Sequence, residues 1–264
     1  VKIQAYQRPQ TMEEAYQLLL QNDDNTVMGG GAWLKLTNRN VDTIIDISEL
    51  QLHTIEQQND NIVIGSMTTL RQLETSPIIQ ECCQGILAKA ANSIMGMNVR
   101  NIATIGGSIM GKYSFSDIIT PLLAMNATLV FYHNKEMALA DFLNTKHVEK
   151  DILVAIKIPK TNYPGYFYNV KKTAIDFAVL NVAIVNGDSC TIAIGARPGG
   201  SVIATKAMEY INSHLPITDE VMDQAAQIAQ EEIHVSSNFR ASQEYRELLI
   251  KVYVKRGLKE VCKQ

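Results

Sequence analysis

The stretch Val27-Met28-Gly29-Gly30-Gly31-Ala32 decides how this 264-residue chain is read, because a short apolar strand runs there straight into three glycines. Such a turn admits two readings. In one, backbone N–H groups crowd around an anionic pyrophosphate with no side chain in the way. In the other, the glycines only make a tight strand-to-helix turn. The fingerprint of doubly wound NAD-binding domains needs another glycine three residues on, where Leu34 stands, and no Lys-Ser/Thr ending of a P-loop follows. A second double glycine, Thr104-Ile105-Gly106-Gly107-Ser108, lies between apolar flanks farther along. Two such loops on separate lobes can close on one pyrophosphate from both sides, neutralising it mainly with amide dipoles. Lys112 is the nearby basic residue after the second loop.

Working outward, Thr11-Met12-Glu13-Glu14 forms a capping box ahead of a helical stripe of Ala15, Leu18 and Leu19. Short apolar runs at 41–47 and 62–64 read as strands, so the opening third alternates helix and strand. Ser76-Pro77 starts a helix, and 86–95 carries Leu87, Ala90, Ala91 and Ile94 on one helical face. Ser116-Asp117 opens an apolar helix through Met125. Strands follow at 127–132 and 152–158, the latter stopped by Pro159. The turn formers of 162–165 mark a linker. Beyond it, two β-rich runs flank Asn186-Gly187-Asp188, a hairpin signal. Three helices follow at about 203–212, 218–232 after Thr218, and 242–256 ended by Gly257. The reading is α+β, divided into a first lobe (1–55), a second lobe (56–161) and a C-terminal domain (162–264) with a small antiparallel sheet and helices.

Composition is that of an ordinary globular protein, 46% hydrophobic and 19% charged, and a net charge of −3 gives no argument for nucleic acid or an anionic membrane as partner. No apolar stretch reaches membrane-spanning length and no basic-then-apolar signal opens the chain, so a cytoplasmic location is expected. Cys82, Cys83, Cys190 and Cys262 contain no C-x-x-C pair, and an iron–sulfur cluster needs four well-placed thiolates. They read as plain thiols. His53, His133, His147, His214 and His234 lack the i, i+4 spacing of a helical metal pair. No metal site is expected in this chain.

The pieces together resemble the FAD-binding medium subunits of molybdenum hydroxylases of the xanthine dehydrogenase and carbon monoxide dehydrogenase type, a branch of the vanillyl-alcohol-oxidase-type (PCMH-type) flavoproteins. Val27–Ala32 in sequence resembles their first FAD loop, and Arg100-Asn101-Ile102-Ala103-Thr104-Ile105-Gly106-Gly107-Ser108-Ile109 their second. Ser116-Asp117 with Pro121-Leu122-Leu123-Ala124 is similar to the family's next element. Asp151-Ile152-Leu153-Val154, Lys171, Ile175-Asp176-Phe177-Ala178 and the closing Arg240-Ala241-Ser242-Gln243-Glu244-Tyr245-Arg246 continue the likeness in collinear order over nearly the whole chain.

The resemblance implies FAD as cofactor. By position, Met28, Gly29, Gly30, Gly31, Ala32 and Trp33, then Thr104, Gly106, Gly107 and Ser108, hold the pyrophosphate region. Asp117 matches an aspartate that binds cofactor hydroxyls, with a helix cap as its plainer role. Ile94 falls beside the flavin, Leu153 at a backbone contact, and Lys171 at a lysine whose charge stabilises reduced flavin; the competing role for Lys171 is a surface pair with Asp176. Departures from the family are Trp33 for smaller aliphatics, Ala32 for a hydroxyl or acid, Gly31 for a side chain that sometimes reaches the flavin, an aliphatic Ile94 and Ser108 for Asn. Tyr113 or Phe115 is placed to shape access to the ring.

The function implied is an electron-transfer subunit. Substrate is oxidised on a molybdopterin-binding large subunit, and electrons pass through 2Fe-2S clusters of a small subunit to FAD and on to NAD+ or another acceptor. The alternatives are a stand-alone FAD-dependent oxidoreductase of this fold, which needs an acid or base facing the flavin, and a non-catalytic scaffold with degenerate FAD binding.

Overall fold

The computed structural model describes residues 1–133, 135–146 and 149–262; His147 lies outside them. Strand β1 (Lys2–Gln7), helix α1 (Met12–Gln21), β2 (Thr26–Met28) and β3 (Asn40–Asp46) make a three-stranded parallel sheet in the order β1-β3-β2. Thr11 caps α1 as expected, its hydroxyl oxygen accepting from the Glu14 N–H at 3.1 Å. Glu14 reaches one residue farther back than a capping box requires, to the Gln10 N–H at 2.8 Å. Asn25 ties the unit together: its side chain donates to Leu18 O at 2.7 Å and accepts from the Thr43 N–H at 3.1 Å. Ala15, Leu19, Ile45 and Ile47 form its small core, joined from the second sheet by Ile152.

The next stretch forms β4 (Ile55–Gln58), β5 (Asn61–Gly65), α2 (Leu70–Thr75), α3 (Pro77–Glu81), α4 (Ile86–Ser93), α5 (Met97–Ile102), α6 (Ile105–Met110), α7 (Ile119–Ala124), β6 (Thr128–Phe131), β7 (Glu136–Ala138), α8 (Leu139–Asn144) and β8 (Leu153–Pro159). The strands build an antiparallel sheet ordered β4-β5-β8-β6-β7. Thr69 and Gln72 form a complete capping box on α2, Pro77 opens α3 at its first position, and the helices bury their apolar faces on this sheet. The double glycine of the second loop lies in the first turn of α6, where Thr104 is a helix N-cap rather than a loop or strand end.

The remainder forms β9 (Gly165–Val170), β10 (Leu180–Asn186), β11 (Cys190–Gly195), β12 (Val202–Ile203), α9 (Thr205–Ser213), α10 (Asp219–Glu232) and α11 (Gln243–Cys262). The hairpin falls where Asn186-Gly187-Asp188 places it, with Asn186 paired to Cys190 in an antiparallel sheet ordered β12-β11-β10-β9. Alternation along β10 explains its unbroken apolar run. Val182 and Ile184 face the C-terminal helices, whereas Ala183 and Val185 face the core of the second sheet. The α+β architecture is the expected one. Gly257 differs from expectation: α11 runs through it to Cys262. A Cβ there would lie 2.5 Å from a Tyr166 ring carbon and 2.8 Å from Ile184 Cδ1, so the glycine lets helix and sheet approach closely and does not stop the helix.

Candidate functional site

A cavity of about 410 Å³ opens between the first and second sheets, within the usual range of ligand clefts. Met28, Gly29, Gly30, Gly31, Ala32 and Trp33 line one side, delivered by the end of β2. Thr104, Gly106, Gly107 and Ser108 line the other, and Leu153 closes it from the start of β8. Residues about seventy positions apart in sequence thus meet in one place.

Contact between the loops dictates most of the glycines. A Cβ on Gly29 would sit 2.5 Å from the Thr104 hydroxyl oxygen, and one on Gly30 only 1.2 Å from the Ile102 carbonyl oxygen. Gly106 is pressed in the same way against Ser66, 2.7 Å from its carbonyl oxygen. Gly31 is needed for its backbone, with φ at +67°.

The two loops bring unequal donors. Gly106 N–H donates to Ser66 O at 2.9 Å, Gly107 N–H to Thr104 Oγ1 at 3.1 Å, and Ser108 N–H to Thr104 O at 3.0 Å. The amides of Gly30, Gly31 and Ala32 enter no hydrogen bond among the described residues, so the first loop offers the open N–H groups. Thr104 accepts from Gly107 and keeps its own O–H to donate. Ser66, on the cavity wall, carries a buried hydroxyl with no partner among the described residues, a polar atom that needs a ligand or water to satisfy it.

Lys112 does not serve the cleft. Its ammonium donates to Phe142 O at 2.7 Å and Thr145 O at 3.2 Å and lies over the Phe142 ring; burial holds its pKa below the ordinary lysine value. The basic side chains on the cavity wall are Lys150, tethered to Asn22 O and Asp23, and the exposed Arg39. Neither stands in a glycine motif, so only the folded wall shows them.

Ile94, Asp117 and Lys171 do not line this cavity. They gather where the end of α4, the residues before α7 and strand β9 meet. Lys171 Nζ donates to Ser93 O at 2.6 Å and lies 3.5 Å from Asp117. Asp117 also accepts from Asn181 at 2.7 Å and Asn169 at 3.0 Å. Burial pushes the Asp117 pKa up, against the pull of Lys171, Asn181 and Asn169 in the opposite direction. Asp117 is not the helix cap: Ile118 stands at the N-cap of α7 without a side-chain cap bond, and it is Ser116 Oγ that accepts from the Ile118 and Ile119 N–H groups. Lys171 is no surface partner of Asp176 either, since Asp176 pairs with Arg240 at 3.1 Å. Trp33 and Tyr113 extend from the cavity into an aromatic cluster with Phe115 and Phe177. The Trp33 and Phe115 ring centroids are 5.0 Å apart, and those of Phe115 and Phe177 4.3 Å.

The family model for the FAD binding domain in molybdopterin dehydrogenase matches residues 1–161, and that for the CO dehydrogenase flavoprotein C-terminal domain matches residues 165–261. The chain belongs to this flavoprotein family. Several relatives named as dehydrogenase subunits match nearly its whole length. It is 26% identical to the glyceraldehyde dehydrogenase medium chain of Sulfolobus acidocaldarius, covering 98% of each chain. It is 27% identical to a xanthine dehydrogenase FAD-binding subunit of Escherichia coli, covering 97% of this chain and 95% of that one. Among solved structures, a carbon monoxide dehydrogenase from Hydrogenophaga pseudoflava that lacks the Mo-pyranopterin moiety superposes with a TM-score of 0.89 at 25% identity, over 99% of this chain and 97% of that one. The cofactor of the family is FAD, and the cleft fits it on its own terms. It has a side-chain-free wall of glycines, open amides at Gly30 to Ala32, and an unsatisfied Ser66 hydroxyl.

Proposed function

We propose that the chain is the electron-transfer subunit of a cytoplasmic, heteromeric molybdenum hydroxylase. It receives electrons from the 2Fe-2S clusters of a small partner subunit and passes them to NAD+, while a molybdopterin-binding large subunit oxidises the substrate. The cleft between two sheets, with a glycine loop on each side, is the observation that carries this reading. FAD, when bound, supplies the conversion between one-electron and two-electron chemistry.

The protein's part is to bind and tune. The amides of Gly30, Gly31 and Ala32, the Thr104 hydroxyl and Arg39 hold the pyrophosphate, with Met28, Gly29, Gly106, Gly107 and Ser108 forming the walls that admit it. Leu153 and Trp33 exclude water. Lys171, fixed by Ser93 O and Asp117, holds a positive charge that favours reduced flavin. Asp117 supplies the acceptor for cofactor hydroxyls, and Ile94 an apolar contact. The chain divides functionally at 1–55, 56–161 and 162–264, the first two parts forming the cleft and the third carrying Lys171.

The test is co-expression with candidate molybdenum and iron–sulfur subunits, followed by the flavin spectrum of the purified complex. The complex is expected to retain FAD, and Gly107→Asp, which drives a carboxylate at the cleft wall, to lose it. A wild-type complex that takes up no added FAD refutes the reading. NADH that fails to bleach the bound flavin removes NAD+ as acceptor and leaves the rest standing.

A further inference from the structure

The adjacent cysteines Cys82 and Cys83 stand apart from the cleft and from every role described above. We propose that they form an oxidisable dithiol site, which a peroxide converts reversibly into a vicinal disulfide.

The pair sits in the turn between α3 and α4, with both thiols buried. The turn has an unusual backbone. Cys83, Gln84 and Gly85 follow one another with φ of +46°, +56° and +73°, a left-handed run that disfavours any residue carrying a Cβ. It is held in place by the connection between β8 and β9. Cys83 N–H donates to Thr161 O at 3.0 Å, Cys83 Sγ lies 3.2 Å from Thr161 Oγ1, and Cys82 Sγ donates to Pro159 O at 3.5 Å. That connection, 160–164, has no regular secondary structure, and Lys160 and Asn162 on it are exposed. Thr161, which meets Cys83, lies on this segment, and Pro159, which meets Cys82, is the β8 residue just before it.

The two thiols are chemically unequal. Hydrogen bonding from Cys83 and the Thr161 N–H, with the Lys160 charge nearby, holds Cys82 below the ordinary thiol value against the opposing effect of burial. The same hydrogen bond and burial push Cys83 up. Cys82 is thus the nucleophile, since the thiolate is the form that attacks, and Cys83 the resolving thiol. Cys82 thiolate attacks one oxygen of hydrogen peroxide, the O–O bond breaks, and the departing hydroxide takes up a proton to leave as water. Cys83 sulfur then attacks the Cys82 sulfenic sulfur, the S–O bond breaks, and the Cys83 proton leaves in a second water. Two thiols give up two electrons and two hydrogens to one peroxide.

The product is built to be reversed. Neighbouring Cα atoms are about 3.8 Å apart across a trans peptide, shorter than the roughly 4.4–6.8 Å an unstrained disulfide spans. A strained bridge is reduced more readily than a relaxed one.

The experiment treats the full chain with hydrogen peroxide and follows intact mass and the tryptic peptide 72–89, which contains both cysteines. The expected result is loss of two hydrogens within that peptide, restored by dithiothreitol. Cys83→Ser is expected to stop at a Cys82 sulfenic acid that dimedone labels, and Cys82→Ser to leave Cys83 unlabelled. Should either variant fail to fold, the wild-type mass decides alone. An unchanged 72–89 peptide while Cys262 oxidises overturns the proposal, as does a disulfide joining Cys82 or Cys83 to Cys190 or Cys262. The outcome does not depend on whether FAD binds.

Discussion

Replacing Gly30 with alanine tests the claim that the glycines serve loop-to-loop contact as much as ligand contact. The added Cβ would stand 1.2 Å from the Ile102 carbonyl oxygen and 2.4 Å from its carbon, both backbone atoms that cannot swing aside. Restoring an allowed 3.0 Å separation requires the loops to part by about 2 Å. Overpacking of this kind costs about 1–3 kcal/mol, which lowers the melting temperature of a chain this size by roughly 2–10 °C. The displacement falls on the cleft wall itself, so FAD affinity should drop at least about tenfold, some 1.4 kcal/mol. Two controls grade the effect. Gly107→Ala meets only the Thr104 hydroxyl oxygen, at 3.0 Å, and Gly200→Ala meets nothing within 4 Å. Thermal melts and FAD titrations of the three variants should rank Gly30 far worse than Gly107, with Gly200 unchanged. A Gly30→Ala protein that melts and binds FAD like wild type would falsify the loop-contact argument.

Four other outcomes follow from the structure. Gly257→Ala should destabilise the C-terminal helices by about 1–3 kcal/mol in calorimetry, because its Cβ strikes the buried Tyr166 and Ile184 side chains; an unshifted melt rejects the close-approach explanation. Arg246, almost wholly buried, donates to Val179 O, Ser236 O, Ala241 O and Asn238 Oδ1 at 2.6 to 2.9 Å. Arg246→Met strands those acceptors and should cost about 3 kcal/mol or more in denaturant unfolding. Arg39→Ala should weaken FAD binding about tenfold while Lys112→Met leaves it unchanged, since Arg39 lines the cleft and Lys112 does not; equal losses in a titration would remove Arg39 as the phosphate partner. Burial pushes the Asp46 carboxyl up, but the Tyr6 hydroxyl and the Ser48 N–H and hydroxyl outweigh it and hold its pKa below the usual value. A depressed carboxylate contributes stability that is full above its unfolded value of about 4 and is lost as pH falls through the lower folded value. Asp46→Asn should flatten that acid limb of the stability profile, and an unaltered slope would exclude Asp46 as its source.

Much of the site was legible because its signals are local. Three glycines after a strand, a threonine ahead of a double glycine, and Asn-Gly-Asp between apolar runs can each be recognised within a few positions. The cleft formed where those loops pointed. What depends on distant partners was not legible. Strand β1 is exposed along all six residues and has no apolar alternation to betray it. Gly257 looks like a helix stop until the Tyr166 ring is seen beneath it. Asp117 reads as a cap, yet Ser116 Oγ bonds the Ile118 and Ile119 amides, and Asn169 and Asn181, more than fifty residues away, donate to the Asp117 oxygens. The basic residue of the cleft read as Lys112 because it follows the glycines, but its left-handed backbone, with φ of +45°, accompanies a side chain bonded to the α8 region.

The central position of β8 sets a schedule for the cleft. This strand pairs with β5, some ninety residues earlier, and with β6 on its other side. Until residues 153–159 have left the ribosome, the second sheet is split into two halves, and Leu153 is missing from the wall. The glycine loops are synthesised early but have no rigid bed to meet on. Closing so long a loop is slow compared with forming local helices. A growing chain therefore spends most of its synthesis unable to hold a flavin, and the nascent protein becomes loadable only after its sixty-first and its hundred-and-fifty-ninth residues have found each other.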